Sequence, residues 1–380
     1  MHLLNSSFPL VSVVIPTYNQ AAFLSTAIDS VLNQTYSHLE ILIIDDGSTD
    51  HTPQLLKKYT KQDSRIKSIR QHNQGPSAAR NLGIIQAKGT YLCLLDSDDI
   101  MHKNRVEYQL ALFKEHPNID IVYTALQLID INGSPIGELR SQDEAPANFL
   151  VQMFFRNIIP GPSTIMAKRS CLVDQPYNHH FKHAEDYELM LRLAHHYRFK
   201  YLDLPLTSYR RHLNNLSNDL NAHRQAELKV LSQYTQEHIA QIISQSSLSG
   251  EEKILMQGRI AFNREMWQEA LTIFEQSLTA IAFFYRGNCH FKINQIESAI
   301  QAYRQSLELD ATNPACYNNL GLSYACMGQR EQALSCFKKA LSLKKGYLDA
   351  QDNLSQIARE QIPSRITLKE LRKDLIPYHS

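Results

Sequence analysis

The chain has 380 residues, which at roughly 100–200 residues per domain favours two or three domains, and 43% of its residues are hydrophobic, as in ordinary soluble globular proteins. Its formal net charge of +1 gives no electrostatic case for a nucleic-acid or anionic-membrane partner. The N-terminus lacks a signal-peptide pattern, and no apolar run approaches the roughly 20 residues of a membrane helix. We therefore expect a cytoplasmic protein without a transmembrane segment, and peripheral membrane contact through a partner stays open.

The first part of the chain alternates apolar and amphipathic segments. Four short segments rich in β-branched residues are predicted strands: residues 10–16, 39–45, 65–69 and 90–96. Three segments with helical spacing of apolar residues are predicted helices: residues 21–34, 77–87 and 105–116. This alternation favours a mainly parallel sheet covered on both faces. In such a sheet, ligands bind beyond the carboxyl ends of the strands.

Polar and aromatic residues follow each predicted strand. The four strand ends carry the sequences PTYNQ, DDGSTD, HNQGPSAARNLG and DSDD. Carboxylates can accept hydrogen bonds from a nucleotide base, a tyrosine face can stack on it, and arginine can pair with phosphate. Asp96 and Asp98, one residue apart, offer the oxygen ligands that suit Mg²⁺ or Mn²⁺. The crevice is therefore predicted to bind a nucleoside diphosphate with a divalent cation.

A different pattern begins after about residue 220 and ends in internal repeats. Residues 221–246 are predicted to form one helix, followed by a turn at residues 247–250. Residues 285–314 then align with residues 319–347 at an offset of 34, and an earlier copy aligns at an offset of 29 with a connector five residues shorter. The matching positions are Gly258, Ala270, Phe274 and Leu278; Gly287, Ala299, Tyr303 and Leu307; and Gly321, Ala333, Phe337 and Leu341.

The repeat resembles the tetratricopeptide repeat, a helix–turn–helix unit of 34 residues. Its glycines and alanines allow close helix approach, and its aromatic residues fill the space between units. Residues near Asn353 continue the period and are expected to begin a capping helix. Repeat arrays commonly present a concave surface to a protein or peptide, which implies a protein partner. An array this short could instead dimerise or brace the first domain.

Six motifs in the first half carry a second resemblance. VSVVIPTYN, DDGSTD, GPSAARNLG, LDSDD, HAEDYELMLRL and YRRH occur in the order typical of inverting family 2 glycosyltransferases of the GT-A fold, and the resemblance covers roughly residues 9–215. It implies an α/β GT-A domain, Rossmann-like with a mainly parallel sheet, followed by an all-α tetratricopeptide-repeat domain. We place the catalytic domain at residues 1–218, a linker helix at 219–250, and the repeats with their capping helix at 251–380.

The resemblance implies how a nucleotide-sugar donor would be held. Asp46 would bind the base, usually uracil, with Pro16 and Tyr18 packing near it. Arg80 would contact the donor near its pyrophosphate. From the residues alone, Tyr18 could instead be a core aromatic, and Arg80 could form a surface salt bridge.

The resemblance also implies a metal site. Asp98 would ligate a divalent cation, Mn²⁺ or Mg²⁺, directly, and His212 could join it. Asp96, the other member of the D-x-D pair, would contact the ribose or donor sugar. Arg210 or Arg211 would contact phosphate. A third acid, Asp99, is expected at a helix N-terminus.

For catalysis, the resemblance favours Asp186 as general base, with Glu185 contacting the donor sugar or the acceptor. The helical spacing of HAEDYELMLRL places both acids in a helix first turn, where the helix dipole favours acids regardless of function. The sequence therefore leaves their separate roles open. Ser163 and Thr164 are expected to line the acceptor side.

The predicted reaction is transfer of a sugar from a nucleotide-sugar, with UDP-sugar favoured, to a hydroxyl of a glycan, lipid-linked or protein acceptor. The alternative is a non-catalytic repeat scaffold with a degenerate donor domain, which the intact acids disfavour. A nicotinamide-dependent enzyme is disfavoured because PTYNQAAF lacks G-x-G-x-x-G. A nucleotidyltransferase is disfavoured because a Gly- and Lys/Arg-rich loop after the first strand is absent.

Overall fold

The computed structural model describes residues 8–213 and 215–369. These residues form two compact units, one ending at Gln233 and the other beginning at Tyr234. The predicted domains also include residues 1–7, 214 and 370–380, which lie outside the described residues.

The first unit is an α/β domain. Its described strands are β1 Val11–Thr17, β2 Leu39–Asp45, β3 Ile66–Arg70, β4 Tyr91–Leu94, β5 Ile100–Met101, β6 Ile121–Ile129, β7 Pro135–Leu139, β8 Met166–Lys168 and β9 Phe199–Arg210. Its described helices are α1 Ala21–Leu32, α2 Thr52–Gln62, α3 Pro76–Gln86, α4 Arg105–Glu115, α5 Pro146–Phe155, α6 Arg169–Asp174, α7 Glu185–Ala194 and α8 Leu220–Leu231. Two short 3-10 helices cover Pro162–Thr164 and Leu216–Asn218.

The strands form one sheet in the order β3-β2-β1-β4-β8-β6-β9-β5, with β7 added beside β6. The four strands predicted from sequence pair in parallel, β1 with β2 and β4, and β2 with β3. Beyond them the sheet is mixed, because β8 runs antiparallel to both β4 and β6. The Rossmann-like α/β fold is thus confirmed, and the parallel part is limited to one side of the sheet and to the β6–β9 pair.

Burial explains why the first strands form. Every residue of β1 and β2 is buried, as expected for strands covered on both faces. Helix α1 buries one side through Leu24, Ala27, Ile28 and Val31. On α3, a Cβ at Gly83 would lie 2.3 Å from Val14 Cγ1, so glycine is what lets this helix approach β1 closely. The close packing fixes the loops at the carboxyl ends of the strands.

The single helix predicted over residues 221–246 is wrong, because the chain forms α8 and then a separate helix α9, Gln236–Ser244. Thr235 begins α9 by accepting a hydrogen bond from the backbone N–H of His238. Such a cap ends one helix and begins another within a segment whose apolar spacing looks continuous. The predicted turn and helix start that follow are confirmed, since Ser249 and Glu252 form a capping box.

The second unit consists of stacked helix pairs. Beyond α9 it contains α10 Gly250–Asn263, α11 Trp267–Phe274, α12 Ala280–Lys292, α13 Ile296–Leu309, α14 Pro314–Cys326, α15 Arg330–Leu343 and α16 Leu348–Ala358. The predicted all-α repeats are thus confirmed. The shorter first copy owes its length to its second helix rather than its connector, since α11 has 8 residues whereas α13 and α15 have 14 each.

The repeated glycines and aromatic residues meet inside each helix pair. A Cβ added at Gly258, Gly287 or Gly321 would lie 2.6, 2.4 or 2.8 Å from the ring of the aromatic residue at the matching position. Those rings belong to Phe274, Tyr303 and Phe337, all fully buried. The repeat pattern therefore encodes a helix crossing in which a ring packs directly on backbone.

The cysteines are free thiols: Cys93, Cys171, Cys289 and Cys316 are buried, Cys326 is exposed and Cys336 is half-buried. Within residues 8–213 and 215–369, no helix has both the length and the apolar character needed to cross a membrane.

Candidate active site

A cavity of about 850 Å³ lies in the first unit, bordered by the segments that follow β1, β2 and β4. It brings together residues far apart in sequence, as the placement of sites at the ends of parallel strands predicts. Most of the expected site residues line it: Pro16, Tyr18, Asp46, Arg80, Asp96, Asp98, Glu185, Asp186 and His212. Arg210 and Arg211 do not belong to this lining.

Asp46 is a buried carboxylate held in one orientation. Its Oδ1 accepts hydrogen bonds from Gln71 Nε2 at 2.7 Å and from the backbone N–H of Gln74 at 2.9 Å. Its Oδ2 accepts from the backbone N–H of Gly75 at 2.8 Å. Nearby in the lining, Tyr18 is 46% exposed and is therefore not a core aromatic. A fixed acceptor and an open ring suit the edge and the face of a nucleotide base.

Arg80 is buried and bridges two acids. Its guanidinium donates to Glu185 Oε1 at 2.9 Å and to Asp96 Oδ1 at 2.8 Å, and it lies over the ring of Tyr177 at 5.3 Å. Its burial excludes the alternative of a surface salt bridge. Burial raises the pKa of Glu185, Arg80 opposes that rise, and the neighbouring Asp186 adds to it. The bridge ties the end of β4 to the start of α7.

Asp98 pairs with His212 across the cavity. His212 Nε2 lies 2.9 Å from Asp98 Oδ2, and the imidazole stacks on the ring of Phe23 with centroids 5.1 Å apart. Burial raises the pKa of Asp98, Asp96 raises it further, and His212 partly offsets both. Two predicted metal ligands are thus adjacent, whereas Asp96 is turned toward Arg80.

The described residues contain no group of three or more His, Cys, Asp or Glu side chains arranged to hold a metal ion. The pair of Asp98 and His212 still fits a divalent cation that takes its other ligands from a diphosphate and water. Mg²⁺ sites commonly use one or two carboxylates plus substrate phosphates, and imidazole suits transition metals. The donor set is therefore adequate only with a nucleotide bound.

Two expectations about neighbouring residues are corrected. Asp99 is 1% exposed and precedes the short strand β5 rather than a helix; its Oδ1 accepts from the backbone N–H of Arg210 at 3.1 Å. Arg210 donates to the carbonyl oxygens of Asp98 at 3.0 Å and Ile131 at 2.9 Å, so its guanidinium is engaged by the backbone. Both arginines lie outside the cavity lining, and Arg211 is exposed, so the expected phosphate contact has no support in the described residues.

The start of α7 separates the two candidate acids. Both lie in its first turn, as predicted. Glu185 is buried and committed to Arg80, whereas Asp186 is half-buried and forms no ion pair in the described part of the chain. Asp186 Oδ1 accepts the backbone N–H of Tyr187 at 2.7 Å, which holds its carboxylate in place. Of the two acids, Asp186 is thus the one whose carboxylate is not committed to an arginine in the described residues.

Some residues sit differently from expectation. Ser163 and Thr164 are buried, and Ser163 Oγ accepts the backbone N–H of Asp96 at 2.9 Å, so they support the cavity wall rather than line it. Residues 159–162 line it instead. Sequence reasoning also missed Phe23, whose position in the helical stripe of α1 marks it only as apolar.

Known proteins that resemble this chain share one family model and one type of repeat. The family model for glycosyl transferase family 2 matches residues 12–164, and two tetratricopeptide-repeat models match residues 287–328 and 314–347. The Escherichia coli protein named UDP-Glc:alpha-D-GlcNAc-diphosphoundecaprenol beta-1,3-glucosyltransferase WfgD is 34% identical over 185 residues, which are 48% of this chain and 69% of WfgD. The chain belongs to glycosyl transferase family 2. It also carries tetratricopeptide repeats.

Other family 2 relatives match less of their own length. An uncharacterized glycosyltransferase of Rickettsia felis is 47% identical over 131 residues, which are 34% of this chain and 21% of that protein. The chain thus spans only about a fifth of the Rickettsia relatives it matches. Among solved structures, Staphylococcus aureus TarS 1-349 in complex with UDP aligns with a TM-score of 0.51 at 20% identity, covering 78% of this chain and 90% of that one. That likeness shows a shared fold.

Proposed function

We propose that this family 2 protein transfers a sugar from a nucleoside-diphosphate sugar to an acceptor hydroxyl with inversion at the anomeric carbon. The observation that carries the proposal is the convergence, in one cavity, of a fixed base acceptor, a metal-competent pair and a separate unpaired acid. These are Asp46, Asp98 with His212, and Asp186. These three groups match the three parts of the reactants: the nucleotide base, the diphosphate and the acceptor hydroxyl.

A uridine nucleotide is the favoured donor. Asp46 Oδ2 accepts a single hydrogen bond within the described residues, which leaves it able to accept a second one from a ring N–H such as that of uracil. Pro16 and Tyr18 lie in the same lining and would pack near the base. The name of WfgD specifies UDP-Glc as its donor, which supports the same nucleotide here.

Asp98 and His212 would hold a divalent cation, Mn²⁺ or Mg²⁺, together with the diphosphate. When bound, such a cation supplies positive charge that stabilises the leaving diphosphate. The protein's own contribution is orientation: Phe23 stacks on the imidazole of His212, and Arg210 holds the carbonyl of Asp98. Asp96, joined to Arg80, would contact the ribose or sugar.

The reaction we propose is a single displacement. Asp186 takes the proton of the acceptor hydroxyl while its oxygen bonds to the anomeric carbon. The bond from that carbon to the diphosphate oxygen breaks, and the nucleoside diphosphate leaves with the electron pair from the opposite face. Glu185, already neutralised by Arg80, would help orient the sugar rather than take the proton.

The repeat unit gives the proposal its second part, a protein partner. Glycan, lipid-linked and protein acceptors all present hydroxyl groups that Asp186 could deprotonate. The runner-up is a scaffold in which the repeats act and the first unit does not catalyse. The unpaired Asp186 beside an intact acidic cavity favours transfer over that alternative.

The test is release of nucleoside diphosphate from a panel of UDP-sugars, with Mn²⁺ present and candidate glycan and lipid-linked acceptors. We expect turnover by the wild type, and Asp186→Asn should lower kcat by about 100-fold or more because the general base is lost. UDP affinity should stay unchanged in Asp186→Asn but fall in Glu185→Gln, which removes the negative charge that pairs with Arg80. Turnover by Asp186→Asn at the wild-type rate would contradict the assignment.

A further inference from the structure

The chain segment after α16 returns across the repeat helices in an extended form. Residues 363–369, here called the tail segment, have no helix or strand of their own but contact α12, α14 and α16. These are the first helix of two successive repeats and the helix that follows them. The contacts therefore trace one path along the array.

A row of buried asparagines makes most of these contacts. The asparagine row consists of Asn288, Asn318, Asn319 and Asn353, and each is 0% exposed. Its members also bond to one another, with Asn319 Nδ2 donating to Asn288 Oδ1 at 2.7 Å and Asn353 Nδ2 donating to Asn318 Oδ1 at 3.0 Å. Burying an amide is costly unless its polar atoms are paired, so the row is held in a defined orientation.

Two of these asparagines each bind one residue of the tail segment through both its backbone N–H and its carbonyl. Asn319 donates to the Thr367 carbonyl at 2.7 Å and accepts the Thr367 N–H at 2.9 Å. Asn353 donates to the Arg365 carbonyl at 2.7 Å and accepts the Arg365 N–H at 2.8 Å. The clamped residues are two apart, as on one edge of an extended strand. Such contacts recognise peptide backbone in any sequence.

Side-chain contacts add a sequence preference. The Thr367 hydroxyl donates to Asp349 Oδ2 at 2.8 Å and bonds to the hydroxyl of Tyr347. The flanking Ile366 and Leu368 pack on the apolar core of the repeats. The surface under the tail segment thus accommodates a residue with a hydroxyl side chain between two aliphatic residues.

We propose that the asparagine row forms a groove for an extended peptide of a partner protein, and that the tail segment occupies it as a tethered competitor. The partner peptide would carry a Ser or Thr between aliphatic residues, because that is the chemistry now seated there. The inference rests on the proposed protein partner of the repeats and not on sugar transfer. A tethered occupant acts at an effective concentration in the millimolar range, so the partner must displace it.

The test is binding of a fluorescein-labelled peptide, QIPSRITLK, which copies residues 361–369. The Thr367→Pro full-length chain loses one clamp N–H and the hydroxyl, so its tail should leave the groove. We expect this chain to bind the peptide about ten-fold or more tightly than the wild type, because the competitor is gone. Ile362→Ala, at a residue 80% exposed before the tail segment, is the control and should match the wild type.

Two further chains keep the test decisive if Thr367→Pro folds poorly. A specific protease site inserted before Pro363 allows the tail to be released after folding, and release should expose the same binding. Adding Asn319→Ala and Asn353→Ala should then remove peptide binding.

A folded, released chain that fails to bind the peptide, or a wild type that binds equally well, would overturn the proposal. The molar mass in solution gives one more outcome that would overturn it: a dimeric wild type and a monomeric Asn319→Ala variant. The tail segment in the groove would then belong to a neighbouring copy of the chain. Neither nucleotide nor sugar is present, so the result does not depend on transfer.

Discussion

Three neighbouring aspartates after β4 have three different surroundings. Asp96 pairs with Arg80, and Asp98 pairs with His212. Asp99 is buried, and its Oδ1 accepts a hydrogen bond from the backbone N–H of Arg210. Burial raises the pKa of Asp99 well above its usual range, and the charges of Asp98 and Asp96 raise it further. Asp99 therefore lowers the stability of the fold at pH values where the same acid would be ionised in the unfolded chain.

The substitution Asp99→Asn tests this cost. An acid with a raised pKa in the folded state binds more protons folded than unfolded, so the contribution of Asp99 to stability falls as pH rises above about 4. Asparagine does not titrate, so the free energy of unfolding of Asp99→Asn minus that of the wild type should increase with pH, by up to about 1.4 kcal/mol per pH unit. Urea unfolding from pH 4 to 8 in EDTA measures it.

The control for this series is Asp203→Asn, whose side chain is 61% exposed. It removes an exposed carboxylate, so a pH trend that both variants share would not come from the burial of Asp99. A difference for Asp99→Asn that stays flat or shrinks as pH rises would show that Asp99 ionises without penalty in the folded state.

The placement of residues in the cavity was predictable where a strand end supplied them. Asp46 and Asp98 follow apolar segments that could only be buried strands, so their place in one crevice followed from the sheet alone. The roles of Arg210 and Asp99 depend instead on the approach of β9 to the end of β4, a contact between residues 111 apart. No local pattern encodes that pairing.

Among the elements, the repeat helices were the most predictable. Their period fixed the positions of Gly287 and Tyr303, and the structure places these residues against each other. The asparagine row was missed because residue type alone does not show whether an asparagine side chain is buried or exposed. One sign of it was present, since Asn319 and Asn353 are separated by the repeat length of 34.

The helix crossing in the second repeat predicts the effect of Gly287→Ala. The new Cβ would lie 2.4 Å from Tyr303 Cε1, and that ring is fully buried with its hydroxyl bonded to Asn288. Overpacking should cost about 1–3 kcal/mol, and the roughly 1 kcal/mol gained in helix propensity offsets part of it, so we expect a net loss of up to about 2 kcal/mol. Thermal unfolding followed by circular dichroism measures it.

Gly250→Ala is the matched control for that substitution. Gly250 starts α10, and a Cβ there would meet nothing within 4 Å. It should be neutral or slightly stabilising. Equal melting temperatures for the two variants would mean that the helix pair relaxes and that the glycine is not required for close packing.

At the scale of the whole molecule, the two proposed functions, sugar transfer and peptide binding, belong to different units. The first unit, ending at Gln233, contains every residue proposed for donor binding and catalysis, and the second contains the repeats and the tail segment. The sequence could identify these two kinds of structure because one depends on strand ends and the other on a period. It could not identify the mixed side of the sheet, since β8 has only three residues and a weak pattern.

The most direct measurement is a calorimetric titration of UDP into the full chain, with and without Mn²⁺, for the wild type, Asp98→Asn and the control Asp203→Asn. We predict that Mn²⁺ strengthens UDP binding to the wild type and the control. In Asp98→Asn this gain should fall by about ten-fold or more, since one of two protein ligands is lost. Failure of well-folded wild type to bind UDP under any condition would contradict the account of the cavity as a UDP-sugar site.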